Sequence, residues 1–157
     1  MSDRDPVVAI IGSRDWPDLQ RVRTFVTHLA AKYPDAIVIS GGAYGTDRAA
    51  EEAADEAALG VISLRPVEHT ETKYTCELVA NERARYILGQ VALDYITVLL
   101  EGEWTTYAKA CFFRNTIIVQ CADQVVAFWK PQSRGTLHAI NHAHQLKRPV
   151  HIYRPEE

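Results

Sequence analysis

Basic residues are not in excess in this chain. Its 17 Lys and Arg stand against 20 Asp and Glu, a formal net charge of −3. No overall positive field exists to hold an extended polyanion, so long nucleic acid is not expected as a partner. Cysteine is scarce and odd in number. Cys76, Cys111 and Cys121 lack C-x-x-C spacing, which fits a reduced cytosolic protein better than a disulfide scaffold. No apolar run approaches the length of a membrane span, and the polar stretch Met1–Pro6 has no apolar signal core. A soluble, cytoplasmic protein without a membrane partner is expected. The G-x-G-x-x-G fingerprint and the P-loop lysine are both missing, which disfavours a standard NAD dehydrogenase or nucleoside triphosphatase. H-E-x-x-H is missing as well. His138 and His142 stand one helical turn apart, but a zinc site needs a third ligand and a supporting partner. No metal and no required cofactor are expected.

What is present fits a single α/β domain over residues 1–157. Five apolar runs read as strands: about Val7–Ile11, Ala36–Ser40, Val61–Arg65, Gln124–Trp129 and Pro149–Tyr153. They are continuous rather than alternating, as in parallel strands covered on both faces. Helical periodicity fills about Asp18–Tyr33, Asp47–Leu59, Thr105–Cys121 and Thr136–Leu146. The alternation predicts a Rossmann-like doubly wound parallel sheet of about five strands with helices on both faces. Residues 68–102 break the rhythm. Ala80, Ala84, Ile87, Val91, Tyr95 and Val98 recur at intervals of three or four, so a helical insertion is predicted at about 68–102. Its leucines and valines exceed what a small sheet can cover, which points to a homo-oligomer.

Three strand-to-helix corners carry the chemistry. They are Gly12-Ser13-Arg14, the loop Ser40-Gly41-Gly42-Ala43-Tyr44-Gly45-Thr46-Asp47, and Ser133-Arg134-Gly135-Thr136. Each places backbone N–H groups and a helix N-terminus together, an arrangement suited to phosphate. With strand order 3-2-1-4-5, the first and third corners face each other across the crevice where the order reverses, with the second beside them. The hydroxyls of Ser13, Ser133 and Thr136 and the guanidinia of Arg14, Arg134 and Arg114 complete a candidate ligand set. That set also includes Gly41, Gly42, Gly45, Thr46, Asp47, Asn115 and Gly135. For Asp47, capping the following helix is at least as good a role as touching a ribose.

These segments, with Arg114-Asn115 and the run Ala122–Trp129, resemble the SLOG superfamily. It joins the Smf or DNA-processing protein A proteins to the Lonely Guy cytokinin-activating proteins. The small stand-alone YspA/YpsA-like branch is the most similar. The resemblance spans nearly the whole chain except about 68–101, and it implies a Rossmann-like fold that binds a nucleotide or nucleotide-derived ligand as sensor or effector. It also implies two alternatives. One is an N-glycosidic hydrolase of nucleotides. Here the glutamate of the Lonely Guy P-G-G-x-G-T-x-x-E motif falls on Ala139, so another carboxylate, Asp47 or Glu103, has to serve. The other alternative is a single-stranded DNA-binding module. The acidic balance and the few aromatics near the loops count against a stacking platform.

Overall fold

The computed structural model describes residues 4–155. The five apolar runs lie side by side as parallel strands, and a sixth strand joins them antiparallel at one edge. The strands are β1 (Val7–Gly12), β2 (Ile37–Ser40), β3 (Gly60–Thr70), β4 (Lys73–Ala80), β5 (Gln124–Phe128) and β6 (Val150–Tyr153). The helices are α1 (Leu19–Lys32), α2 (Thr46–Glu56), α3 (Glu82–Leu88), α4 (Gln90–Leu99), α5 (Tyr107–Cys121) and α6 (Arg134–Gln145). Spatial order is β4-β3-β2-β1-β5-β6. For the five parallel strands this is the expected 3-2-1-4-5 order.

Both sheet faces are covered, which is why the strands read as unbroken apolar runs. On one face Val8, Ile10, Val38 and Phe128 pack against Val22 and Val26 of α1 and the alanines of α2. On the other, Ala9, Ile39, Ile62 and Val125 pack against Ile117 and Ile118 of α5, Ile140 of α6, and Leu93 and Ile96 of α4. Several helix starts are locally coded. Asp18 accepts from Arg21 N ahead of α1, and Thr106 accepts from Lys109 N ahead of α5. α6 begins two residues before the predicted Thr136, with Ser133 as its N-cap.

The helical insertion predicted at 68–102 is corrected in its first part. β3 continues to Thr70 and β4 returns antiparallel to Ala80, so the segment opens as a hairpin. Period-two patterning explains the difference. Cys76, Leu78 and Ala80 turn toward the core while Glu77 and Val79 face out. Helix begins only at Glu82, where Asn81 caps α3, and it is interrupted at Gly89 (φ +84°) before α4. The apolar residues that argued for assembly are divided. Leu93, Ile96 and Leu100 are buried in the protein's own core, with Leu88 and Leu99 packed against it, whereas Val91, Tyr95 and Val98 stay exposed on α4. Among the described residues no helix is long and apolar enough to cross a membrane.

Candidate functional site

The chain leaves β1 toward β2 on one side and leaves β5 toward β6 on the other, so the ends of β1 and β5 open a crevice between diverging loops. A cavity of about 390 Å³ lies there. Its walls are Gly12, Ser13, Arg14 and Asp15 after β1, then Gly41, Ala43 and Asp47 after β2. Cys111, Arg114 and Asn115 of α5, and Gln132, Ser133, Gly135, Thr136 and Ala139 around the start of α6, complete them.

Much of this wall is held by its own polar groups. Ser13 N donates to Phe128 O (3.0 Å), the Ser13 hydroxyl accepts from Lys130 N (2.9 Å), and Thr46 Oγ1 donates to Ser13 O (3.0 Å). Arg114 is buried. It donates from Nη1 to Gly41 O (2.7 Å) and Leu64 O (3.2 Å), and from Nε to Asn115 Oδ1 (2.9 Å). Asn115 Nδ2 in turn donates to Gly135 O (3.2 Å). The adjacent pair Arg114-Asn115 therefore ties the β2–α2 and β5–α6 loops to one helix.

The N–H groups of the β2–α2 loop point at carboxylates of α2. Gly42 N donates to Glu51 Oε2 (3.0 Å), Ala43 N donates to Asp47 Oδ2 (3.3 Å), and the Ser40 hydroxyl donates to Glu51. Asp47 is buried, and burial, the largest influence, raises its pKa to about 7. The Arg114 charge opposes that shift and the Glu51 charge adds to it. The β5–α6 corner is different. Ser133 makes no side-chain bond to the first turn of α6, and its hydroxyl lies 2.9 Å from that of Thr136. With Arg14 exposed opposite, this corner is the part of the crevice best arranged to receive an anion.

Ten of the predicted ligand residues line the cavity: Gly12, Ser13, Arg14, Gly41, Asp47, Arg114, Asn115, Ser133, Gly135 and Thr136. Four lie beside it. Gly42 faces Ser63 and Arg65, Gly45 packs on the Arg14 carbonyl, Thr46 is buried, and Arg134 is exposed at the start of α6. Sequence reasoning missed Glu51, although a glutamate four residues after Asp47 in an alanine-rich helix face was a usable signal. Cys111, absent from the predicted set, lines the cavity as well. Ala139 lines it too, so no carboxylate stands at that position.

His138 packs at a tilt against Phe112 (centroids 4.7 Å apart), and burial lowers its pKa. Among the described residues no group of three or more His, Cys, Asp or Glu is placed to hold a metal ion.

A family model described as DNA recombination-mediator protein A matches residues 1–156. No curated protein matches the chain. Solved structures that share the fold include two DNA processing proteins A. One is DNA processing protein A from Helicobacter pylori, described by its single-stranded DNA binding mode. It is 21% identical, with a TM-score of 0.62 over 96% of this chain and 66% of that one. The other is DNA processing protein A from Streptococcus pneumoniae. It is 22% identical, with a TM-score of 0.63 over 94% of this chain and 50% of that one. The chain thus spans between half and two thirds of the solved relatives' length. These likenesses overturn the expectation that long nucleic acid is no partner, since a protein of the same fold is described by its hold on single-stranded DNA. Net charge is a weak guide to such a partner, because it sums the whole chain, whereas a strand of nucleic acid meets only the residues along one groove.

Proposed function

The chain belongs to the DNA recombination-mediator protein A family, and from that premise we propose that it binds single-stranded DNA across the crevice between β1 and β5. The observation that carries the reading is the convergence of Arg14 with the start of α6, where no side chain bonds the first-turn N–H groups and Ser133 and Thr136 present hydroxyls. Backbone N–H groups, two hydroxyls and a guanidinium suit a phosphodiester. The β2–α2 loop supports them from below and does not hold the phosphate itself, because its amides already meet Asp47 and Glu51. Exposed Arg134 extends the cationic track outward.

Anisotropy of a labelled oligothymidylate tests this. Affinity falls with salt at a slope of about −0.7 per phosphate neutralised, and Arg14→Ala reduces both the affinity and the slope. A wild-type protein that leaves the oligomer unbound at low salt refutes the reading.

A second reading keeps the same crevice but fills it with a free nucleotide. Its volume of about 390 Å³ favours this, because small-molecule sites run to roughly 300–1,000 Å³. Deoxythymidine monophosphate that raises the melting temperature, while the oligomer does not, selects the second reading.

A further inference from the structure

Two exposed tyrosines adjoin residues of the crevice wall, Tyr107 at Arg14 and Tyr44 next to Ala43, each with an arginine over its ring. Tyr107 opens α5. Arg14 lies 5.8 Å from its ring centroid and donates from Nη2 to its hydroxyl at 3.1 Å. Tyr74 of β4 meets the same ring edge-on, with centroids 6.1 Å apart. The ring is thereby held from two sides, yet 44% of the residue remains exposed. Tyr44 belongs to the β2–α2 loop, one residue beyond Ala43 of the crevice wall. It is 70% exposed, and Arg48 lies 4.1 Å from its centroid. The two places adjoin, because Gly45 packs against the backbone carbonyl of Arg14.

Core packing does not account for rings this exposed. A purely apolar partner does not account for them either, since each ring is coupled to a positive charge. A neutral aromatic face beside a guanidinium matches a base beside its phosphate. We propose that Tyr44 and Tyr107 are base-stacking platforms near Arg14, so that single-stranded DNA crosses the crevice with a phosphate at Arg14 and a base on each ring. This rests on the DNA-binding reading above and adds to it a hold on the bases. Tyr44 lies in the glycine loop itself, and the fold supplies the other ring by bringing Tyr107 to Arg14 across 93 positions.

The test pairs an oligothymidylate with an abasic oligomer of the same length and charge. Wild type binds the thymidylate more tightly. Tyr44→Ala and Tyr107→Ala each weaken thymidylate binding by roughly ten-fold, the scale of one lost base stack, and leave abasic binding unchanged. Tyr107→Phe keeps the ring, loses the Arg14 bond and retains most of the affinity. Melting curves confirm that each variant is folded. Thymidylate binding unchanged in both alanine variants overturns the stacking proposal and leaves the DNA-binding reading intact. An equal loss on both oligomers also overturns it, because the tyrosines then act through the phosphate contact. If wild type binds neither oligomer, the DNA-binding reading itself fails and the platforms fail with it.

Discussion

Arg114 and Gly41 are 73 positions apart, and the guanidinium Nη1 of one donates to the carbonyl of the other at 2.7 Å. This contact fixes the floor of the crevice. The same guanidinium is the cation that offsets the burial of Asp47.

Arg114→Ala removes the contact and leaves Asp47 buried without that cation. Gly41 O, Leu64 O and Asn115 Oδ1 lose their buried donor, and acceptors left unpaired in the interior cost about 3–5 kcal/mol together. A domain of this size then melts about 10 °C lower. Arg114→Lys keeps the charge but not the fork that reaches Gly41, Leu64 and Asn115 together, so it falls between. Calorimetry that places the alanine variant level with wild type contradicts the assigned role.

Asp47 makes stability depend on pH in a definite direction. Its pKa is about 7 in the fold and 3.8 when unperturbed. Between these values the native state holds a proton that the unfolded chain releases. The stabilisation is complete below the unfolded value and is lost as pH rises through about 7, with a slope of up to about 1.4 kcal/mol per pH unit. Asp47→Asn removes this group's part of the slope, so the stability difference between mildly acidic and neutral buffer shrinks. Identical pH profiles for the two proteins rule out a raised Asp47.

Gly45 and Gly89 both adopt positive φ, +78° and +84°, but their surroundings differ. A Cβ on Gly45 runs into the backbone of Arg14, whereas one on Gly89 meets nothing within 4 Å. Gly89→Ala therefore costs only the backbone strain, roughly 1–3 kcal/mol. Gly45→Ala costs that and also forces the β1–α1 and β2–α2 loops apart. Urea unfolding separates the two, with the Gly45 variant clearly the weaker. Equal midpoints contradict the close packing of these loops.

The sheet was legible because each parallel strand is an unbroken apolar run and each loop is punctuated by glycine, serine or proline. Val7–Ile11 and Val125–Phe128 leave little other choice. β4 was not legible, because Lys73–Ala80 alternates and its inward residues overlap a helical ladder that starts at Ala80. Pairing with β3 decided it, and that pairing is a tertiary fact. The site was legible at Gly12-Ser13-Arg14 and Ser133–Thr136, where position in the chain dictates position in the fold. Glu51 at Gly42 was missed, although its place one helical turn after Asp47 was a usable signal, and the bond from Ala43 N to Asp47 depends on how the loop folds back over its own helix. Tyr107 at Arg14 depends on where α5 crosses the sheet end.

Val91, Tyr95 and Val98 form a stripe on α4 at 85%, 63% and 58% exposure. Their spacing of four and three puts them on one helix face. A contiguous apolar face left open to solvent suits an interface, and self-pairing about a two-fold axis covers it in both copies at once. Light scattering is expected to give a multiple of the 17.6 kDa chain mass, and Val91→Asp/Val98→Asp to return the single chain. A wild type that stays monomeric at high concentration removes the interface.

Release of a free base from nucleoside monophosphates is expected to be negligible. Glycosidic cleavage needs a carboxylate at the sugar to orient water or to stabilise the developing cation. Position 139 on the crevice wall holds alanine. Glu103 is solvent-exposed and paired with Lys73 at 3.2 Å, and it is not part of the crevice wall. Asp47 reaches the cavity, but its Oδ2 already accepts from Ala43 N, and Arg114 and Glu51 crowd its surroundings. Chromatography of adenosine monophosphate after long incubation should show only the starting nucleotide. Multiple-turnover appearance of adenine, abolished by Asp47→Asn, sinks this expectation and makes Asp47 the reacting carboxylate.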